Sequence, residues 1–118
     1  MASLSMITMD TLDPRRLSRW WAERLGGEII LDSDGFFSIV AVPGWPANLG
    51  FQAVEQPTPG KNRLHLDLSW DAGQERDAGI AAWVAAGATH LGQRGESGFL
   101  WDTFADPDGN EFCISSAH

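Results

Sequence analysis

The chain holds a single cysteine, Cys113, among its 118 residues. It can form no intramolecular disulfide, and a reducing cytoplasm is the expected compartment. Basic residues are scarce: eight Lys and Arg against sixteen Asp and Glu give a formal net charge of −8. No basic run exists to meet phosphates, so neither nucleic acid nor an anionic membrane is an expected partner. No apolar run approaches the ~20 residues of a membrane span. Residues 1–6 carry neither a charged nor a long apolar region, so no signal peptide is expected there. Tyrosine is absent while tryptophan occurs six times, and tryptophan is costly to leave on a surface without purpose. What remains is ordinary, with 43% hydrophobic and 20% charged residues, as in soluble globular proteins. This length suits one domain, 1–118, able to bury roughly two thirds of its unfolded surface.

One stretch organises the rest: Lys61-Asn62-Arg63-Leu64-His65-Leu66-Asp67-Leu68-Ser69. Polar and apolar residues alternate with period two, which predicts a strand over 63–70. Leu64, Leu66 and Leu68 share one face; Arg63, His65, Asp67 and Ser69 share the other. Burying such polar groups unpaired costs on the order of several kcal/mol each. A concave sheet resolves this, with the leucines against a helix and the polar side chains lining a cup.

The remaining elements fall around that strand. A strand at 6–10 precedes a helix capped by Asp13, with Pro14 at its first position and Gly26-Gly27 as its stop. Leu17, Trp20, Trp21 and Leu25 form its apolar stripe. Strands follow at 28–31, 36–42 and 48–54. A proline-rich link over 56–61 divides the chain. After the 63–70 strand, Asp71 is the expected cap of a second helix, with Gln74 completing a capping box. Ile80, Trp83 and Val84 make its stripe and Gly87 its stop. Strands at 88–91, 99–105 and 111–115 complete the pattern. The last two are joined by the turn Asp106-Pro107-Asp108-Gly109-Asn110. That turn is not an EF-hand, because Glu111 and Ala117 stand where glycine and glutamate are required. The same strand-helix-strand-strand-strand order thus occurs twice, in modules of about 5–55 and 62–116. The expected fold is α+β, with paired βαβββ modules forming an open barrel-like cup.

Alternation nominates the cup's lining: Arg63, His65 and Asp67, then Cys113, then Trp101 opposite a helix-facing Phe104, with Gln52 on the far wall. His65 is either a pocket histidine hydrogen-bonded to Asp67 or Arg63, or a ligand or base. Lys61 and Arg63 are candidates for an anionic substrate group, or else partners of the acidic residues. Cys113 is either a small buried hydrophobe or a thiol paired with His65. Trp101 is either a wall for a flat organic ligand or plain filling. Trp83 and one of Trp20 and Trp21 are expected in the core. Trp45, between two prolines, is expected at a pocket mouth or a subunit contact.

The Lys61-to-Leu68 stretch and the Asp106-Pro107-Asp108-Gly109-Asn110-Glu111-Phe112 ending resemble the glyoxalase-like group of the vicinal oxygen chelate superfamily. That superfamily includes glyoxalase I, extradiol dioxygenases and bleomycin-resistance proteins. The resemblance spans about 6–115 and implies paired βαβββ modules. Its metal-dependent members draw one ligand from each of four strands. Those positions fall here near Met6 to Thr8, at Gly50 or Gln52, at His65, and at Cys113, whose face Glu111 shares. Only His65 is a good match, so no cofactor is expected; a divalent metal centred on His65 is the alternative. The expected function is binding of a small aromatic or anionic organic molecule. The protein either sequesters it, as resistance proteins do, or performs a metal-independent isomerase or lyase step with His65 as the candidate catalytic residue. The alternatives are a metal-dependent glyoxalase-like lyase or dioxygenase centred on His65, and a non-catalytic interaction domain. The resemblance also implies a homodimer.

Overall fold

Asp13 starts the first helix by a purely local device. In the computed structural model, which describes residues 1–116, its carboxylate accepts a hydrogen bond from the Arg16 amide at 3.1 Å. Pro14 follows, where no amide proton is needed. Gly26, left-handed at φ 66°, closes the helix. The first compact unit, Met1–Pro59, holds β1 (Met6–Thr11), α1 (Pro14–Leu25), β2 (Glu28–Ser33), β3 (Phe37–Ala41) and β4 (Asn48–Ala53). Its sheet runs β1-β4-β3-β2, with β1 parallel to β4. Leu17 and Trp21 from α1 are fully buried, as are Val40, Leu49 and Phe51 from the sheet. Each such side chain contributes roughly 1.5–3 kcal/mol of burial. Trp20 is half-buried and meets Trp21 edge-on at 5.0 Å.

The second unit begins at Gly60 and holds β5 (Asp67–Ser69), α2 (Arg76–Ala85), β6 (Thr89–Glu96), β7 (Phe99–Ala105) and β8 (Glu111–Ser115). Its order, β5-β8-β7-β6, is the same permutation, again with the outer pair β5 and β8 parallel. Even the irregularities repeat. The strand after each helix slips register once, between Ile29 and Leu31 and between His90 and Gly92. The fold class is therefore α+β built from two βαβββ modules. Phe104 and Phe112 stack at 5.5 Å, and Trp83 leans on them at 6.2 and 5.3 Å. Trp70 meets Phe104 edge-on at 6.4 Å. Gly79 makes room for it, since a Cβ there would lie 2.7 Å from the Trp70 ring.

Four local expectations need correction. The strand expected over 63–70 is regular only at Asp67–Ser69, and Leu64 is 87% exposed instead of facing a helix. Asn62 takes over the pairing. Its amide nitrogen donates to the carbonyls of Leu64 and Glu111, and its oxygen accepts from the Glu111 amide at 2.7 Å. A side chain thus replaces ladder bonds, a competition open to asparagine. The second helix starts at Arg76, capped by Glu75 and not by Asp71. Gly73 at φ 84° breaks the chain between them, and the Glu75 carboxylate accepts from the amides of Asp77 and Ala78 at 3.0 and 2.8 Å. Those two bonds hold the Glu75 carboxyl below its usual range. Val84 is exposed, leaving Ile80 and Trp83 on the packed face. Finally, β6 runs on to Glu96, five residues past the expected end at Leu91.

A charged cluster sits where only apolar packing was expected. Asp102 on β7 is buried on the same face as Phe104. It accepts from Arg76 Nε at 2.9 Å and Nη2 at 2.8 Å, and it contacts His90 Nε2 at 2.9 Å. The arginine comes from the first turn of α2, so this cluster ties helix to sheet. Among the described residues no helix is long and apolar enough to cross a membrane.

Candidate functional site

The face of the second sheet opposite Phe104 carries a cavity of about 390 Å³. Strand pairing builds its floor. Asp67 stands beside Cys113, Cys113 beside Thr103, and Thr103 beside Gly92. The next row runs Ser69, Ser115, Trp101, Arg94. His65, Asp67, Trp101 and Cys113, all nominated from the sequence, line this cavity together, as does Lys61. Arg63 is exposed and does not line it. Gln52 belongs to β4 of the first unit, where its exposed amide donates to the Ala53 carbonyl at 3.3 Å. Trp45 is half-buried in its loop.

Arg94, Phe99, Thr103 and Ser115 also line the cavity, and sequence reasoning did not single them out. Thr103 and Ser115 were available from simple alternation with Trp101 and Cys113. Arg94 was hidden by the β6 bulge. In an unbroken strand His90 and Arg94 would share a face; the slip at Leu91 sets His90 opposite Phe104 and Arg94 opposite Trp101.

Three polar side chains cluster at the centre. His65 Nδ1 lies 3.1 Å from Asp67 Oδ1. A neutral imidazole donating through Nδ1 keeps Nε2 as an acceptor. The Cys113 sulfur lies 3.7 Å from Thr103 Oγ1. Burial pushes the Cys113 thiol up, and neighbouring Asp67 adds to the rise, while the Thr103 bond and Lys61 oppose it. The thiol therefore stays protonated at neutral pH and is a poor nucleophile. Lys61 Nζ sits 4.0 Å from Glu111 Oε1.

The donor set can be tested against the divalent ion that the resemblance implies. In the first unit, the β4 position is Gly50, where a Cβ would meet Met6 Sδ at 2.8 Å and Thr8 Oγ1 at 2.9 Å. No room is left there for a ligating side chain, and Met6 and Thr8 are poor partners for a hard ion. In the second unit, the ligand atoms of His65, Asp67 and Cys113 lie within 4.8 Å of one another. One imidazole, one carboxylate and one soft thiol do not fit a hard octahedral ion, which prefers oxygen donors. No step is derived through such a metal.

Comparison with known proteins agrees with this architecture. Residues 6–115 match the family described as glyoxalase-like domain. A glyoxalase/bleomycin resistance/dioxygenase family enzyme from Burkholderia phytofirmans is 24% identical, with a TM-score of 0.81 over 98% of this chain and 100% of that one. A mutant of the fosfomycin resistance protein FosX from Listeria monocytogenes, complexed with Mn(II) and dihydroxypropylphosphonic acid, is 16% identical. It superposes with a TM-score of 0.81 over 100% of this chain and 92% of that one. A glyoxalase-related enzyme from Fulvimarina pelagi is 21% identical, with a TM-score of 0.74 over 97% and 87% of the two chains. No curated protein matches the chain. The match over nearly the whole length, together with the doubled βαβββ order, places the chain in the glyoxalase-like domain family of the vicinal oxygen chelate superfamily.

Proposed function

We propose that the second unit's cavity receives a small aromatic or anionic organic molecule and does so without a resident hard divalent ion. One observation carries this reading. A single concave surface joins an aromatic wall, Phe99 and Trp101, to the cations Lys61 and Arg94 and to the polar centre of His65, Asp67 and Cys113. Its volume lies at the small end of ligand sites, which run from about 300 Å³ upward. The organic acid captured in the FosX relative belongs to the same broad class of small anions.

The His65–Asp67 contact favours a second reading alongside plain sequestration. An imidazole oriented by a carboxylate is a competent general base, suited to moving a proton within a bound molecule as an isomerase or lyase does. The two readings share one binding event and differ in whether the molecule leaves changed.

Thermal melts in the presence of a panel of small aromatic and organic acids test the binding. A compound at one hundred times its Kd should stabilise the fold by about 2.7 kcal/mol. The shift should survive chelation with EDTA and be lost in Trp101→Ala. A panel without a single stabilising compound, or stabilisation that EDTA abolishes, contradicts the proposal. Comparing the bound molecule before and after incubation with wild type and His65→Ala then separates sequestration from turnover.

A further inference from the structure

The cavity is not uniform in charge. At one end Arg94 stands directly across the β6–β7 ladder from Trp101. Phe99, two residues before Trp101 and on the same face, meets that ring at 5.7 Å and 62°. At the other end lie Lys61, His65, Asp67 and Glu111. There Lys61 faces Glu111 at 4.0 Å, and the His65 ring lies 3.1 Å from Asp67. Arg94 is different. Among the described residues it has no carboxylate partner, and its guanidinium reaches only the Leu91 carbonyl, at 3.4 Å. A guanidinium fork without an acid beside two aromatic rings is suited to a planar anion, which it can grip through two parallel hydrogen bonds.

The opposite end imposes a complementary demand. Asp67 and Glu111 are acceptors when ionised, and a second negative charge placed against them would be repelled. Three strand spacings separate β6 from β5, about 14 Å at the backbone. The Arg94 guanidinium lies back along its own strand, at the Leu91 carbonyl and over Gly92, so most of that span is left for one or two fused rings.

We infer that the cavity selects a planar aromatic acid bearing its negative charge at one end and a neutral hydrogen-bond donor at the other. The carboxylate or phosphonate lies on Arg94, the ring lies against Phe99 and Trp101, and a hydroxyl or amino group points to Asp67 and Glu111. This rests on the cavity being a ligand site, and it adds the class and the orientation of the ligand. It also makes Arg94 a specificity determinant.

Titration calorimetry with three probes tests it: para-hydroxybenzoate, its neutral amide para-hydroxybenzamide, and benzoate. The wild type should bind para-hydroxybenzoate about tenfold or more tightly than the amide, the discrimination expected of a charge-assisted bond. Benzoate, lacking the donor, should bind more weakly than para-hydroxybenzoate. Arg94→Gln should erase the preference for acid over amide, the loss falling mainly on the acid, and Arg94→Lys should retain part of that preference. Equal affinity for acid and amide in the wild type, or a preference that survives Arg94→Gln, overturns the inference and leaves the cavity standing as a ligand site. Failure of all three probes to bind overturns both.

Discussion

Replacing Asp102 with alanine should be among the most damaging single changes in the second unit. The Asp102 side chain is 3% exposed and serves two donors, Arg76 and His90. A hydrogen bond to a charged group contributes roughly 1.5–3 kcal/mol. Arg76 is 42% exposed and rehydrates when its partner is removed, so its two bonds count for less than buried ones. Allowing for that, the loss should total about 3 kcal/mol, or roughly 10 °C of melting temperature at this chain length. The effect should also depend on pH. Burial pushes the Asp102 carboxyl up, but the hydrogen bonds from Arg76 and His90 and their charge outweigh it and hold the group below its usual range. A depressed carboxyl contributes stability that is fully present above its unfolded value, about 3.9. That contribution fades as pH falls through the lower folded value. Urea melts of wild type and Asp102→Ala should therefore differ fully at about pH 7 and progressively less below about pH 4. A neutral-pH difference under about 0.5 kcal/mol, or one that persists undiminished in acid, would refute the reasoning.

Other outcomes follow from single contacts. Cys113, its thiol pushed up by burial, should react with a disulfide reagent more slowly than a free cysteine at neutral pH and accelerate only in alkali; rapid neutral labelling contradicts this. Asn62→Ala removes the bonds to Leu64 and Glu111, so the Glu111 amide, which donates to the Asn62 side chain, should lose protection from hydrogen exchange. Unchanged protection there would show that the amide is held by something else. Gly79→Ala improves helix propensity but sets a methyl 2.7 Å from the Trp70 ring. The net effect should be destabilisation by about 1–3 kcal/mol, and an equally stable variant would show that Trp70 can yield.

The parts of the fold legible in the sequence are those decided by neighbouring residues. Asp13, Pro14 and Gly26 bound α1 because cap, first-turn proline and left-handed stop act within one turn. Trp101 and Thr103 separate from Asp102 and Phe104 because β7 is regular throughout. The doubled βαβββ order was readable for the same reason. What alternation could not show depends on contacts distant in sequence. Asn62 reaches 49 residues ahead to Glu111, and so ends a strand that its own pattern favours. Gly73 permits a turn that competes with the Asp71 cap. One extra residue at Leu91 redirects Arg94 into the cavity, and a period-two reading has no means to register it. Asp102 was not singled out from the sequence because its partners, Arg76 and His90, come from a helix and a neighbouring strand.

The central claim is that the sheet face bearing His65, Trp101 and Cys113 holds a small organic molecule. Amide NMR spectra of the whole chain, titrated with para-hydroxybenzoate, test it most directly. The account predicts saturable shifts concentrated on Asp67, Arg94, Trp101, Thr103 and Cys113, together with the Trp101 indole, while residues of α2 stay in place. Shifts that do not saturate, or that gather on the α2 face around Trp83 and leave Trp101 and Cys113 unmoved, would contradict it.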